Sequence, residues 1–187
     1  MKMKKIDEFN AEDRIDLRLL ENSTFYLNGE IDEDTVGEAI KWILYENLQG
    51  EGRTLTLYIN STGGDLYQAL ALIDVMRSSP HIVRTIGIGA VMSAAFLIFA
   101  CGDKKHRYAA SNTSFMCHQF TSGMDAKYHD LKAEMKETEL LNEKMITILT
   151  ETTGLVKSRV KAKLLPASDV YLTAQEVVDF GVADHIV

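Results

Sequence analysis

The hydrophobic positions of the first ninety residues follow two spacings in turn, which predict alternating strands and helices. Short apolar runs at 25–27, 55–59 and 82–86 are rich in β-branched and aromatic residues, as in buried strands. Between them, apolar residues recur at helical spacing over about 34–49 and 65–78. Because each connection is long enough to hold a helix, the strands are predicted to pair in parallel. The pattern favours an α/β domain with a mostly parallel sheet.

The most apolar stretch, residues 85–102, is predicted as a buried strand, a turn marked by Gly87 and Gly89, and a short helix. Ser93 falls where the turn becomes the helix. The first N–H groups of a helix have no acceptor within it, so the Ser93 hydroxyl and the N–H of Ala94 would lie at its positive end. This position makes Ser93 a candidate nucleophile, although a serine there is also an ordinary helix cap.

Further caps and elements are predicted along the rest of the chain. Asp32 or Asp34 is predicted to cap the first of the helices above, and Thr173 with Glu176 forms a capping-box pattern. Residues 1–13 are highly charged and are expected to be mobile or to depend on a partner. The remaining elements are predicted as a charged surface turn at 103–107, a strand at 114–119, a long helix at about 127–152, a shorter helix to about 164 and a last strand at 182–187.

Composition narrows the class of protein. The chain has 187 residues, of which 46% are hydrophobic and 25% charged, as in one globular domain. A net charge of -7 argues against a general nucleic-acid binder, which needs a basic surplus. The longest apolar run, 86–101, is shorter than the roughly 20 residues of a membrane span, and no secretory signal is evident. Free thiols at Cys101 and Cys117 fit a reducing compartment, so a soluble cytoplasmic protein is expected.

Side chains with complementary chemistry lie at the ends of the predicted segments. Ser93 opens a helix, His118 ends a strand, and Asp169 precedes a strand. In a nucleophilic triad, the imidazole takes the serine proton, and the carboxylate fixes the tautomer of the imidazole and stabilises its charged form. Each residue also has an ordinary structural interpretation: a helix cap, a core histidine and a turn carboxylate.

The glycine pair Gly63 and Gly64 follows a predicted strand and would let the backbone approach a ligand closely. The N–H of Gly64 would then join the N–H of Ala94 as an oxyanion hole. A tight strand-to-helix turn is the alternative interpretation of this pair. The G-x-S-x-G elbow of α/β-hydrolases is absent, because Val91 and Ala95 occupy its glycine positions. The other histidines are interpreted as surface residues: His81, His106, His129 and His185.

Taken together, these segments resemble the ClpP family of self-compartmentalising serine peptidases, from about residue 18 to residue 187. The resemblance is carried by the residues at 18–20 and 25–29, interpreted as the opening strand, and by LYINSTGGDLYQALALIDVM, TIGIGAVMSAAFLIFACG, NTSFMCHQF and SDVYLTAQEVVDFGVADHIV. It implies a catalytic triad of Ser93, His118 and Asp169, with oxyanion-hole N–H groups from Gly64 and Ala94. Thr62 and the bulky residues at 90–92 depart from the family pattern, which suits a divergent or virus-encoded member.

The resemblance also implies an architecture and partners. The expected fold is a crotonase-like β/α spiral, a single domain over 1–187, with a long projecting handle helix at about 125–152. Heptameric rings stacked in pairs would enclose the active sites. An AAA+ unfoldase of the ClpX, ClpA or ClpC type would feed in unfolded protein and spend the ATP, and no cofactor or metal is implied. Two alternatives are a catalytically weak, ClpR-like ring subunit and an acyl-CoA enzyme of the crotonase type.

Overall fold

The computed structural model describes residues 10–50, 52–121, 123 and 127–187. Over these residues the chain forms seven helices and seven strands, so the predicted mixed α/β class is confirmed. In chain order the elements are α1 (Ala11–Glu21), β1 (Thr24–Ile31), α2 (Glu33–Asn47), β2 (Thr54–Gly64), α3 (Leu66–Ser78), β3 (Ile82–Met92), α4 (Ala94–Ala100), β4 (Arg107–Ala109), β5 (Ser114–Cys117), α5 (Tyr128–Thr153), α6 (Lys157–Lys163), β6 (Val170–Leu172), α7 (Ala174–Asp179) and β7 (His185–Ile186).

The strands form one sheet whose main path is β1-β2-β3-β4-β7, and every pair along this path is parallel. The predicted parallel pairing is therefore confirmed. β3 has two neighbours on its far side: β4 pairs with its first half, and β5 pairs with its last residues before Ser93. β6 pairs with β5 in the antiparallel sense, a connection that the sequence did not predict.

Local capping explains where the helices begin. Asp32 caps α2, and its carboxylate accepts the N–H of Thr35 at 2.8 Å. The Asp65 carboxylate caps α3 in the same way. The predicted capping box at the start of α7 is confirmed, because the N–H of Thr173 donates to the Glu176 carboxylate at 2.8 Å. Each of these caps involves residues within a few positions of one another, so such caps can be predicted from the sequence alone.

The short helix α4 lies at the centre of the core. All seven of its residues are buried, and it packs against β2, β3, α3 and α5. Phe99 of α4 contacts Phe115 of β5 with ring centroids 5.3 Å apart. Burial of one such aromatic side chain contributes about 1.5–3 kcal/mol, so α4 is firmly held. The residue that precedes α4, Ser93, is consequently fixed by the core.

Two predicted boundaries were wrong. The residues at 18–20, interpreted as part of an opening strand, belong to α1, where Asn10 caps the helix by accepting the N–H of Asp13 at 2.8 Å. Residues 11–13 of the charged segment lie in the same helix, and 1–9 lie outside the described residues. The predicted turn at Gly87 and Gly89 is instead part of β3, which continues to Met92.

Other boundaries moved less. β2 continues past the predicted 59 to Gly64, and the predicted 182–187 strand is reduced to His185–Ile186. The strand predicted at 114–119 ends at Cys117, so His118 lies just beyond it. The long helix begins at Tyr128; its predicted start near 125 falls outside the described residues. Within the described part of the chain, no helix combines the length and the apolar character needed to cross a membrane.

Two residues assigned to the surface are buried. His81 is only 4% exposed; its Nε2 lies 3.1 Å from the carbonyl oxygen of Glu46, and the N–H of Arg53 donates to its Nδ1 at 3.4 Å. Arg107, assigned to a charged surface turn, is 3% exposed in β4. Both are buried because distant segments supply hydrogen-bond partners, which a local pattern does not reveal. His129 and His185 are exposed, as predicted.

Arg107 makes a bidentate ion pair with Asp184, with N···O distances of 2.9 and 2.7 Å. It also donates to the carbonyl oxygen of Thr152 at 3.1 Å, which ties the end of α5 to the sheet. Burial alone would raise the pKa of Asp184, but the hydrogen bonds and charge of Arg107 outweigh it and lower that pKa below its ordinary value. The pair therefore stabilises the fold while Asp184 is ionised.

The variant Asp184→Asn should lower the free energy of unfolding by about 3 kcal/mol at pH 7, because it leaves the Arg107 guanidinium buried without its countercharge. Since the folded-state pKa of Asp184 is lowered, this contribution is complete above the unfolded-state pKa of about 3.9 and is lost as pH falls through the folded-state value. Urea unfolding of both proteins between pH 7 and pH 3 measures it. A difference that stays constant over that range, or one matched by the exposed-site control Asp16→Asn, would contradict the assignment.

Both cysteines are free thiols, as predicted. Cys117 is buried in β5, and burial raises the pKa of its thiol to about 12. Burial likewise raises the pKa of the Cys101 thiol to about 11. A thiol with such a pKa is protonated near neutral pH and is a poor nucleophile. The cysteine beside His118 in the sequence is therefore a packing residue.

Candidate active site

Ser93 lies between the end of β3 and the first residue of α4, where the sequence predicted it. Its backbone has φ 54° and ψ -122°, a conformation that is rare for a residue with a side chain. The N–H of Ser93 donates to the carbonyl oxygen of Met116 in β5 at 2.9 Å, and its own carbonyl oxygen accepts the N–H of Phe96 at 3.0 Å. Such a strained residue persists only where its surroundings fix it, and it is often functional.

His118 lies one residue beyond β5, next to the serine. Its Nε2 is 2.8 Å from the Oγ of Ser93, within the range in which a base takes a proton directly. The parallel pairing of β3 with β5 accounts for this contact, because Met92 pairs with Met116 just before both residues. Ser93 also makes no capping hydrogen bond with its side chain, so the hydroxyl is directed to the imidazole and not to the helix. The helix-cap interpretation of Ser93 is therefore wrong.

Asp169 is exposed, and within the described part of the chain it makes no hydrogen bond or ion pair with His118. Asp169 lies one residue before β6, which pairs with β5. The antiparallel ladder of β5 and β6 ends with Cys117 opposite Val170, so the next pair in the same register would be His118 and Asp169. Directly opposed residues have Cβ atoms about 4.5–5.5 Å apart, close enough for a carboxylate to reach a neighbouring imidazole.

The glycine pair occupies the end of β2, against the serine. A Cβ on Gly63 would lie 2.6 Å from the Cβ of Ser93, and one on Gly64 would lie 2.4 Å from the carbonyl oxygen of Ile31. Their φ values of 103° and 152° also favour glycine. Gly63 therefore allows β2 to lie against the nucleophile, and Gly64 allows it to lie against β1. The close approach of this backbone to a ligand stays a prediction.

The N–H of Ala94, as the first residue of α4, has no acceptor within the helix. Gly64, Ser93, Ala94 and His118 line one cleft of about 50 Å³. The rest of its wall is mostly apolar and is formed by Leu66, Leu97, Phe120, Thr121 and Met145. An apolar wall of this kind strengthens hydrogen bonds to a charge beside it.

Two residues of the site region were not singled out from the sequence. Ser61 is 3% exposed, and its Oγ accepts the N–H of Gly63 at 3.1 Å, which holds the start of the glycine pair. Asn60 lies beside it and bonds to both neighbouring strands. The sequence feature that could have indicated them is their position: Asn60 and Ser61 are polar residues between an apolar strand and the glycine pair. The partners of Asn60 in β1 and β3 were not visible without the fold.

A comparison with known families agrees with this geometry. The family model for Clp protease matches residues 8–187 of the chain. The chain belongs to the Clp protease family. The family resemblance seen from about residue 18 onward is thus confirmed, and the match begins ten residues earlier. Every element from α1 to β7 lies within the matched range, and membership of this family supports a peptidase function for the chain.

Proposed function

We propose that this member of the Clp protease family is a serine endopeptidase that cleaves peptide bonds of unfolded proteins. The observation that carries the proposal is the 2.8 Å contact between the Nε2 of His118 and the Oγ of Ser93. A serine hydroxyl is a weak nucleophile until an adjacent base takes its proton. The pair lies in a cleft that is also lined by the two residues proposed to form the oxyanion hole, Gly64 and Ala94.

In the proposed reaction, the Oγ of Ser93 attacks the scissile carbonyl carbon while His118 takes the hydroxyl proton on Nε2. The oxygen of the tetrahedral intermediate becomes negatively charged and accepts hydrogen bonds from the N–H groups of Gly64 and Ala94. His118 then gives its proton to the leaving amine, and an acyl-enzyme on Ser93 remains. Water, deprotonated by His118, hydrolyses this ester and restores the serine.

Asp169 is proposed as the third member of the triad. Its role would be to accept the Nδ1–H of His118, which fixes the tautomer and stabilises the imidazolium. The register of β5 and β6 supports this role, because one further pair of the ladder opposes the two residues. Forming that pair, with a rotation of the Asp169 side chain, would complete the triad.

The assembly is proposed to be two stacked heptameric rings of identical chains, supplied with unfolded protein by an AAA+ unfoldase in the cytoplasm. The proposed subunit is a single domain with a crotonase-like spiral, and α5 is its projecting handle. Support comes from the length of α5, 26 residues, and from the large apolar side chains that it leaves exposed. These side chains are Tyr128, Leu131, Met135 and Leu140. An exposed apolar surface of this kind is typical of an interface between subunits.

A second candidate function is that of a catalytically weak ring subunit. The specific observation that favours it is the exposed Asp169, whose carboxylate is not bonded to His118. A serine–histidine pair without an orienting carboxylate loses most of its rate, because the imidazolium is then less stabilised. The two functions differ in the reactivity of Ser93.

The deciding experiment is reaction of the purified protein with a fluorophosphonate, followed by intact mass, peptide mapping and measurement of oligomer size. The expected result is one adduct per chain, located on Ser93, and no adduct in the variant His118→Gln. An adduct in that variant at the wild-type rate would show that His118 does not activate the serine. Absence of an adduct from a fully assembled wild-type ring would overturn the active-peptidase proposal and favour the weak subunit.

A further inference from the structure

We propose that Asn60 is a positioning residue for the nucleophile: its side-chain amide holds a bulge in β3 and so directs the end of that strand, which carries Ser93. Asn60 lies outside the lining of the catalytic cleft and acts through the backbone of β3. The inference rests on the proposed function of Ser93.

The bulge is evident in the register of β2 with β3. Ile59 of β2 pairs with Gly87, and Ser61 pairs with Val91. Two steps along β2 therefore correspond to four steps along β3, so that β3 contains two additional residues opposite Asn60. Bulges of this kind redirect a strand and are common beside active sites.

The Asn60 amide bonds to both neighbouring strands at this point. Its Oδ1 accepts the N–H of Ala90 in β3 at 3.0 Å, and its Nδ2 donates to the Oδ1 of Asn28 in β1 at 2.8 Å. The Nδ2 also lies 3.4 Å from the hydroxyl of Tyr26. The ladder between β1 and β2 shifts register directly after the Asn28–Asn60 pair. The Asn60 side chain thus accepts a backbone N–H of the bulge in β3 and, through side-chain contacts, ties the bulge to β1.

The Asn60 amide packs directly against Gly89 inside the bulge. Gly89 has φ +60°, and a Cβ added to it would lie 2.5 Å from the Oδ1 of Asn60. The glycine thus permits both the left-handed backbone and the close approach of the amide. Gly89 and Asn60 together define the path of the strand here.

The path of β3 affects the active site because Ala90, which Asn60 holds, is where β3 begins to pair with β5. Ala90 is the first residue of β3 that pairs with β5, opposite Ser114, and Met92 pairs with Met116 at the end of this short ladder. The next residue, Ser93, donates its N–H to Met116. Since β5 leads directly to His118, a displacement of Ala90 would change the relative positions of the serine and its base. The strained backbone of Ser93 requires such support.

The variant Asn60→Ala should therefore lower kcat for a short peptide, and the rate at which a fluorophosphonate modifies Ser93, by about 10- to 100-fold, because small displacements of reacting groups cost that much. The KM should stay within about twofold, since Asn60 does not line the cleft. The variant Asn60→Asp keeps an oxygen acceptor for Ala90, and Asn28 can turn its amide to donate to the new carboxylate. It should retain kcat to within about fivefold of the wild type.

Asn28→Ala is the matched control, because it removes the bond to Asn60 but leaves the bond to Ala90 intact. It should lose thermal stability without the loss of kcat. Two results would overturn the inference. One is an equal kcat in Asn60→Ala and Asn28→Ala. The other is a loss of kcat and of Ser93 labelling in Asn60→Asp that is as large as the loss in Asn60→Ala. If Asn60→Ala does not fold, Asn60→Ser decides, because its hydroxyl is on a shorter side chain than the amide oxygen that accepts the N–H of Ala90. Slow Ser93 labelling in that variant supports the inference, and a wild-type rate overturns it.

The same experiment separates this inference from the proposed function. A wild-type ring that gives no Ser93 adduct would remove the proposed function and, with it, the reason for a positioning residue. A wild-type protein that is labelled on Ser93, with Asn60→Ala labelled equally fast, would overturn the role of Asn60 alone.

Discussion

Replacing Ser93 with alanine should lower kcat for peptide cleavage by about 10⁴-fold or more and leave the assembly and its thermal stability nearly unchanged. The loss of rate follows because the variant has no Oγ to attack the substrate or to bond with His118. The unchanged stability follows because the Ser93 side chain makes no capping hydrogen bond to α4. An ordinary cap serine would cost about 1 kcal/mol when replaced by alanine.

The measurement is peptide turnover at saturating substrate, with oligomer size and melting temperature recorded on the same samples. Ser111→Ala is a suitable control, because Ser111 is exposed and lies away from the cleft. Retained turnover in Ser93→Ala would place the chemistry elsewhere. A large loss of stability in that variant would indicate that the serine serves the fold, against the geometry of its hydroxyl.

The part of the fold that follows from local patterns was predicted well. The alternation of strands and helices, the cap at Asp32 and the capping box at Thr173 each depend on residues within a few positions of one another. Features that depend on distant partners were missed. Arg107 is buried because distant residues satisfy it, above all Asp184, which neutralises its charge. The continuation of β3 through Gly89 likewise depends on an asparagine supplied by β2.

In the candidate site, too, local features were predicted and contacts between distant segments were not. The sequence placed Ser93 and His118 at segment ends, and parallel strands tend to bring such ends to one edge of a sheet. The pairing of Met92 with Met116 could not be predicted from the sequence. This pairing places the Nε2 of His118 2.8 Å from the Oγ of Ser93. For Asp169, only the residue type and the position before a strand could be predicted, whereas the antiparallel sense of that strand was visible only in the fold.

The variant Asp169→Asn should lower kcat by about 10³- to 10⁴-fold in the assembled ring, since an amide neither stabilises the imidazolium nor holds the tautomer that leaves Nε2 free to accept the Ser93 proton. The substitution keeps the size of the side chain, and Asp169 is exposed, so the melting temperature should change little. Peptide turnover and the rate of Ser93 phosphonylation, measured together, report the effect. Asp179→Asn, which changes another exposed carboxylate in the following helix, is the matched control.

The result for Asp169→Asn distinguishes a catalytic triad from a serine–histidine dyad. If the His118–Asp169 pair forms in the ring, the amide variant loses both turnover and labelling, and the ladder of β5 and β6 is one pair longer in the working enzyme than in the isolated chain. If Asp169→Asn matches the wild type while Ser93→Ala and His118→Gln are inactive, the chain works as a serine–histidine dyad. In that case the exposed carboxylate has no part in the chemistry, and the low rate of a dyad identifies the weak ring subunit.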